Sequence, residues 1–89
     1  MPYILVHQDT MEIAASTLRN IYDIDYYGAQ WWPTEEEALQ MKANAPGWQV
    51  KHVTDMKLKM MNVKLNNDTS RKLFINEDGA LRVETSSAN

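Results

Sequence analysis

The 89-residue chain has no cysteine and only three glycines, three prolines and two histidines. The lack of cysteine excludes disulfides, thiolate nucleophiles and cysteine-ligated zinc sites. The scattered glycines form no phosphate-binding loop, the histidines fit no His-Glu-x-x-His motif, and the serines lack the glycine-flanked nucleophile elbow. We therefore expect a protein that is not an enzyme and that needs no cofactor and no metal.

Long hydrophobic runs are also missing from the sequence. No segment approaches the ~18 apolar residues of a membrane span. Met1–His7 has no basic region and too short an apolar run for a signal peptide. These features predict no membrane association and a cytoplasmic location, which would be the host cytoplasm if the protein is viral.

The chain does contain a strongly marked helix start and stop between Trp31 and Val53. Thr34 is a favoured N-cap residue, and Glu37 three positions later completes a capping box. The sequence 44–47, Asn-Ala-Pro-Gly, ends the helix, and the alternation that begins at Trp48 predicts a strand. We expect Ala38, Leu39, Ala43 and Ala45 to form the buried face of this helix.

A second helix is predicted between Asp9 and Tyr22. Asp9 and Glu12 have the spacing of another capping box. The apolar residues that follow recur with helical periodicity. They are Met11, Ala14, Ala15, Leu18, Ile21 and Tyr22.

The remaining apolar segments predict strands. Tyr3–Val6 is a continuous apolar run that is typical of a buried strand. Residues 72–75 and 81–85 flank an Asp-Gly pair that favours a hairpin turn. Residues 66–68, Asn-Asn-Asp, form a further predicted turn.

The segment Met56–Leu65 is ambiguous. Apolar and polar residues alternate in it, with a slip of one residue between Met60 and Met61 that predicts a strand with a β-bulge. Met, Leu and Lys also favour helices. A helix here would carry apolar residues on both faces and leave no polar face, so we favour the strand.

Together these elements predict a small α+β domain over residues 1–85, followed by a flexible C-terminal tail at 86–89. The predicted element order is β-α-(loop)-α-β-β-β(-β). We expect a mostly antiparallel sheet with two helices packed on one face.

Aromatic and acidic residues cluster in the segment that we interpret as a loop, Asp23–Trp32, which has a short strand at its end. Tyr and Trp are common at protein interfaces because they bury large areas with few rotatable bonds. The leading hypothesis is therefore a small non-enzymatic protein-binding module whose partner carries a basic patch. The predicted contact residues are Asp23, Asp25, Tyr26, Tyr27, Trp31 and Trp32.

Charge is distributed unevenly along the chain, and the basic part suggests an alternative function in nucleic-acid binding. Residues 1–50 hold seven acidic and two basic residues, whereas residues 51–72 hold six basic and two acidic ones. A nucleic-acid-binding accessory protein would use Lys57, Lys59 and Lys64, although the aromatic residues lie with the acids and not with these lysines. A third alternative is a structural homo-oligomer that pairs through the 56–65 strand.

The two histidines are the remaining candidates for chemistry. His7 follows the first predicted strand and His52 lies in a later one, so the two would be adjacent if these strands paired in a suitable register. The simpler interpretation is that each is a partly buried polar residue at a strand end.

Part of the helix-to-strand segment resembles a known family. Thr34, residues 36–39, residues 45–50 and Val53 are similar to a segment of small bacteriophage proteins that inhibit the host RNA polymerase. The strand of that family carries arginines where this chain has Lys51 and His52, so no functional residue is transferred. The resemblance implies a phage-type inhibitor of a host protein.

Overall fold

The computed structural model describes residues 2–85. These residues form six strands and two helices: β1 (Tyr3–His7), β2 (Ala15–Arg19), β3 (Asp25–Ala29), α1 (Glu35–Ala43), β4 (Trp48–His52), α2 (Asp55–Leu65), β5 (Arg71–Ile75) and β6 (Leu81–Thr85). The strands pair antiparallel as β1 with β4, β2 with β3 and β5 with β6. Helix α1 packs on β1 and β4, and α2 packs on β3, β5 and β6. The predicted α+β class is confirmed.

Residues 11–14 connect the separate strand pairs through backbone hydrogen bonds. The N–H of Ile13 donates to Leu73 O at 2.8 Å, and the N–H of Ile75 donates to Met11 O at 3.0 Å. On the other side, the N–H of Ala14 donates to Leu5 O at 2.9 Å. This short segment therefore joins β1 to β5 and lets one core form between sheets that are otherwise separate.

The core lies between the strand pairs and α2. Its members are apolar side chains from β1, β3, α2 and β5 and from two connecting segments, brought together from distant parts of the sequence. They are Ile4, Val6, Ile13, Ala29, Val53, Met61, Leu65, Leu73 and Ile75. Neither helix of the described residues is long and apolar enough to cross a membrane.

The predicted helix at residues 9–22 is wrong, because this segment forms a turn, two isolated bridges and strand β2. Met11 has a left-handed backbone with φ of 65°, which interrupts any helix there. The Asp9–Glu12 capping box is replaced by a turn in which His7 Nδ1 accepts the backbone N–H groups of Asp9 and Thr10, at 3.2 and 3.3 Å. Pairing with β3, the next strand along the chain, then satisfies the backbone of β2 in a hairpin.

The predicted strand at Met56–Leu65 is also wrong, because these residues lie in α2. The Thr54 hydroxyl caps the helix by accepting the N–H of Lys57 at 3.0 Å, and Asn66 ends it in a left-handed conformation. Met61 and Leu65 are fully buried. Helix α2 does carry apolar residues on two faces, which was the argument against a helix. One of these faces is buried in the core, and the other lies in solvent.

The α1–β4 unit follows the prediction closely. Thr34 Oγ1 accepts the N–H of Glu37 at 3.2 Å and donates to the Glu37 carboxylate at 3.1 Å. Of the expected buried face, however, Ala38 is buried and Ala45 is half-buried, while Leu39 and Ala43 are exposed. The helix thus approaches the sheet through one small side chain, which limits how much its packing contributes to stability.

The C-terminal hairpin is confirmed. Strands β5 and β6 are joined by the predicted turn, in which Gly79 has φ of 90° and so has the conformation that glycine adopts most easily. The turn at 66–68 is confirmed as well, with Asn66 and Asn67 both at positive φ. The predicted tail at 86–89 lies outside the described residues.

Candidate functional site

The tip of the β2–β3 hairpin has a well-defined backbone. Asn20 Oδ1 accepts the N–H groups of Tyr22 and Ile24, at 2.8 and 3.1 Å. The N–H of Asn20 donates to Ile24 O at 3.0 Å, and Asp23 adopts a left-handed φ of 63° that Asp tolerates well. One asparagine side chain therefore organises the whole turn.

This ordered turn holds three large apolar side chains in solvent. Ile21 is 90% exposed, Tyr22 is 75% exposed and Ile24 is 59% exposed. The predicted helix assigned Ile21 and Tyr22 to a buried stripe, and Ile24 was not identified as a site residue. The turn-forming residues Asn20 and Asp23 were the sequence signal that could have revealed a tip instead of a helix.

A groove beside the tip contains two of the predicted contact residues. Its volume is about 510 Å³. Tyr26 and Trp31 contribute the aromatic part of the groove, and Leu18, which faces Tyr26 across the β2–β3 pair, extends the apolar surface toward Pro33. The tip and the groove form one continuous surface because Ile21 borders both. We call it the hairpin surface, made of Leu18, Ile21, Tyr22, Ile24, Tyr26, Trp31 and Pro33.

The acidic residues of the hairpin do not act as free charges. Arg19 lies between Asp23 and Asp25, with N–O distances of 3.2 and 2.9 Å. All three side chains are well exposed, so each ion pair contributes little to stability. One positive charge nevertheless offsets part of the expected acidity. Further acidic charge close to the groove comes from the start of α1, where Glu35, Glu36 and Glu37 follow Pro33 in sequence, are exposed and form no ion pair within residues 2–85.

Two predicted contact residues have structural roles. The Tyr27 hydroxyl donates to Arg71 O at 3.0 Å, which ties β3 to β5. Burial, followed by the nearby charges of Glu12 and Asp68, raises the pKa of the Tyr27 phenol above its ordinary value, so the hydroxyl stays protonated and keeps donating. Trp32 is half-buried and exchanges backbone hydrogen bonds with Tyr3, both at 2.9 Å.

Two asparagine side chains, one in α2 and one in the turn that follows it, fix the hairpin. Asn62 Oδ1 accepts the N–H of Ala29 at 3.0 Å, and Asn67 Oδ1 accepts the N–H of Tyr27 at 2.7 Å. These contacts satisfy N–H groups on the edge of β3 that faces away from β2. They thereby protect this strand edge from pairing with another chain. The hairpin surface is thus held on a rigid base.

The concavity that two of the predicted lysines border has no aromatic residue among the lining residues that the structure describes. Lys57, Lys59 and Lys64 lie on α2 and not on strands. Lys59 and Lys64 border a concavity whose other lining residues are Met56, Met60 and Val63. The nucleic-acid hypothesis requires aromatic residues beside these lysines, on which bases could stack. The side chains found there are aliphatic or thioether groups instead.

The two histidines lie at opposite ends of the β1–β4 pair. The strands do pair, as the sequence allowed, but Tyr3 faces His52 and His7 faces Trp48. The His7 ring packs edge-on against Trp48 with centroids 5.1 Å apart, and the His52 ring packs on Tyr3 at 5.0 Å. Within residues 2–85 no group of three or more ligand side chains could hold a metal ion.

Comparison of the chain with protein-family models, with characterised proteins and with solved structures finds no match. The surfaces described above are therefore interpreted from their own geometry and chemistry.

Proposed function

We propose that this protein is a non-enzymatic protein-binding module whose main contact surface is the hairpin surface. The observation that carries the proposal is the tip, where Ile21, Tyr22 and Ile24 are exposed on a turn that Asn20 holds in place. A contiguous exposed apolar patch on a folded domain is typical of an interaction site.

Rigidity supports the same proposal. Binding is penalised when a loop must become ordered in the complex, and a turn fixed by its own hydrogen bonds avoids much of that loss. The tip is fixed by Asn20, and β3 is fixed at its outer edge by Asn62 and Asn67. The apolar side chains are thus presented by a pre-organised backbone.

The surface indicates what kind of partner fits. A convex apolar tip beside an aromatic groove requires a partner with an apolar depression and a side chain that enters the groove. The exposed Glu35–Glu37 run near Pro33 favours basic residues at the rim of that partner. If the basic-rimmed depression is a working site of a host protein, a module that occupies it acts as an inhibitor. The sequence resemblance implies the same function.

The test compares the native chain with an Ile21→Ser/Ile24→Ser variant. Both chains are immobilised and exposed to a lysate of the source cells, and the captured proteins are quantified by mass spectrometry. A captured protein is then purified and titrated by calorimetry. Because truncating a single hot-spot residue costs on the order of 2 kcal/mol, or about thirtyfold in affinity, we expect the double variant to lose at least that much.

A matched control separates loss of the surface from loss of the fold. Leu39→Ser removes another half-exposed apolar side chain, on α1 and outside the hairpin surface. It should leave binding unchanged, and all three chains should unfold at similar urea concentrations. If the tip variant stays folded and binds its partner as tightly as the native chain, the proposed function is wrong.

The two alternatives from the sequence remain separate proposals with their own measurements. Nucleic-acid binding through Lys57, Lys59 and Lys64 requires fluorescence anisotropy that rises with single-stranded or duplex probes and falls steeply with salt. Self-association through residues 56–65 requires a mass by light scattering that is a multiple of 10.3 kDa.

A further inference from the structure

Helix α2 has two apolar faces, and the fold uses one of them. Met61 and Leu65 are fully buried against the sheets. On the opposite face Met56, Met60 and Val63 are exposed by 72%, 44% and 75%. They line a shallow concavity of about 300 Å³. We call this second face the α2 stripe.

Two lysines flank the α2 stripe. At 100° per residue, Lys59 and Lys64 fall on opposite sides of the line through Met56, Met60 and Val63. Both lysines border the concavity and are exposed. In the part of the chain that the structure describes, neither forms an ion pair. The stripe is therefore an apolar line between two unpaired positive charges.

We propose that the α2 stripe is a second docking surface, which binds an acidic amphipathic helix of a partner protein. From Met56 to Val63 the stripe extends about 10 Å along the helix axis, which is two turns of an opposing helix. The partner's apolar residues cover Met56, Met60 and Val63, and its carboxylates pair with Lys59 and Lys64. Methionine suits such a surface because its side chain adapts to different partners.

Charge also argues against two other occupants. A second copy that packed stripe against stripe would bring the lysines of both chains to the same interface, where like charges repel. A lipid surface is bound by helices with broad apolar faces and many basic residues, whereas the α2 stripe has three apolar and two basic side chains. An acidic amphipathic helix matches both the apolar side chains of the α2 stripe and the two lysines beside them.

The test uses two synthetic helical peptides and isotope-labelled native chain. One peptide carries a leucine stripe flanked by glutamates, and the other has lysines in place of the glutamates. We expect the acidic peptide to shift the amide NMR signals of residues 56–64. A Lys59→Glu/Lys64→Glu variant should bind it about tenfold more weakly and should bind the basic peptide instead, because the rim charges are reversed.

Two controls test whether the effect belongs to the stripe. Lys51→Glu/Lys72→Glu makes the same change in net charge at exposed positions on β4 and β5 and should leave the affinity for the acidic peptide unchanged. Met56→Gln/Val63→Gln keeps the charges, removes apolar surface and should weaken binding. The hairpin variant Ile21→Ser/Ile24→Ser should bind the acidic peptide as the native chain does, so this proposal and the hairpin proposal can fail independently.

Several outcomes would overturn the proposal. Equal affinity for both peptides, or equal weakening by the two lysine pairs, would show that the stripe has no specific charge preference. Shifts of residues 56–64 that depend on protein concentration without peptide would identify a second copy as the occupant. Binding to phosphatidylglycerol vesicles with no response to the acidic peptide would identify a lipid surface.

Discussion

Gly28→Ala is expected to destabilise the protein, although the same change in many strands is favourable. Gly28 is buried in β3 and does not have a left-handed φ, so alanine can adopt its backbone conformation. In such a case alanine normally adds about 0.4–1 kcal/mol by restricting the unfolded chain. Any loss of stability must therefore come from contacts of the added methyl group.

Those contacts are unusually close. A Cβ at position 28 would lie 2.7 Å from Asn62 Oδ1 and 2.9 Å from Tyr26 Cε2. The Tyr26 ring atom is at the far end of a side chain and can move. Asn62 Oδ1 cannot retreat without lengthening its 3.0 Å hydrogen bond from the Ala29 N–H. Overpacking of this kind costs about 1–3 kcal/mol, so we expect a net loss of about 1–2 kcal/mol.

A double-mutant cycle isolates this contact. Asn62→Ala alone should cost about 1–3 kcal/mol because it leaves the Ala29 N–H without its partner. In the Asn62→Ala background, however, Gly28→Ala meets no fixed oxygen and should be close to neutral or slightly stabilising. We therefore expect a coupling free energy of about 1 kcal/mol or more between positions 28 and 62.

The assay is urea unfolding followed by tryptophan fluorescence, with the four chains of the cycle measured at one temperature and pH. Because a domain of this size has a stability of only several kcal/mol, a change of 1 kcal/mol gives a clear shift in midpoint. If the two substitutions add to within about 0.5 kcal/mol, or if Gly28→Ala stabilises the native chain, the proposed close contact between α2 and β3 is refuted.

Two further predictions concern a helix cap and a turn. Thr54→Ala removes the hydroxyl that accepts the Lys57 N–H and should lower the free energy of unfolding in urea by about 1 kcal/mol. Thr54→Ser keeps a hydroxyl and should retain most of that stability. Equal losses in the two variants would contradict the capping role. Ser70, through its hydroxyl and its backbone N–H, lowers the pKa of the Asp68 carboxyl below its ordinary value. This contribution to stability is present above the unfolded pKa of about 4 and is lost as pH falls through the folded pKa. Asp68→Asn should therefore lower the urea midpoint at pH 6 and have less effect at about pH 2, and an effect that does not change with pH would contradict this role.

The candidate site was only partly predictable. Tyr26 and Trp31 were identified because aromatic residues near turn formers are typical of binding surfaces, and both line the groove. Tyr27 has the same local sequence signal, but its hydroxyl is used by Arg71 O, 44 positions away. No local pattern distinguishes the two tyrosines, since the difference depends on which face of β3 meets the rest of the fold.

The apolar tip was missed for a related reason. Ile21 and Tyr22 continue the helical periodicity that begins at Met11, and that period predicts a buried stripe. The left-handed backbone of Met11 and the Asn20-centred turn make the same residues part of a hairpin. A hydrophobic period shows which residues could share a face, but it does not show that the face is covered.

By itself the sequence determined the features that depend on neighbouring residues: the buried strand at Tyr3–Val6, the Thr34 cap with its helix, the strand at Trp48 and the Asp78–Gly79 turn. In each case hydrogen bonds or backbone preferences within a few positions favour one conformation. Only the tertiary structure decided that residues 15–19 form a strand and that residues 55–65 form a helix. The periodicity of each segment does not identify its partner, so the choice depends on tertiary contacts: pairing with β3 across the Asn20-centred turn for the first, and for the second the core that buries Met61 and Leu65.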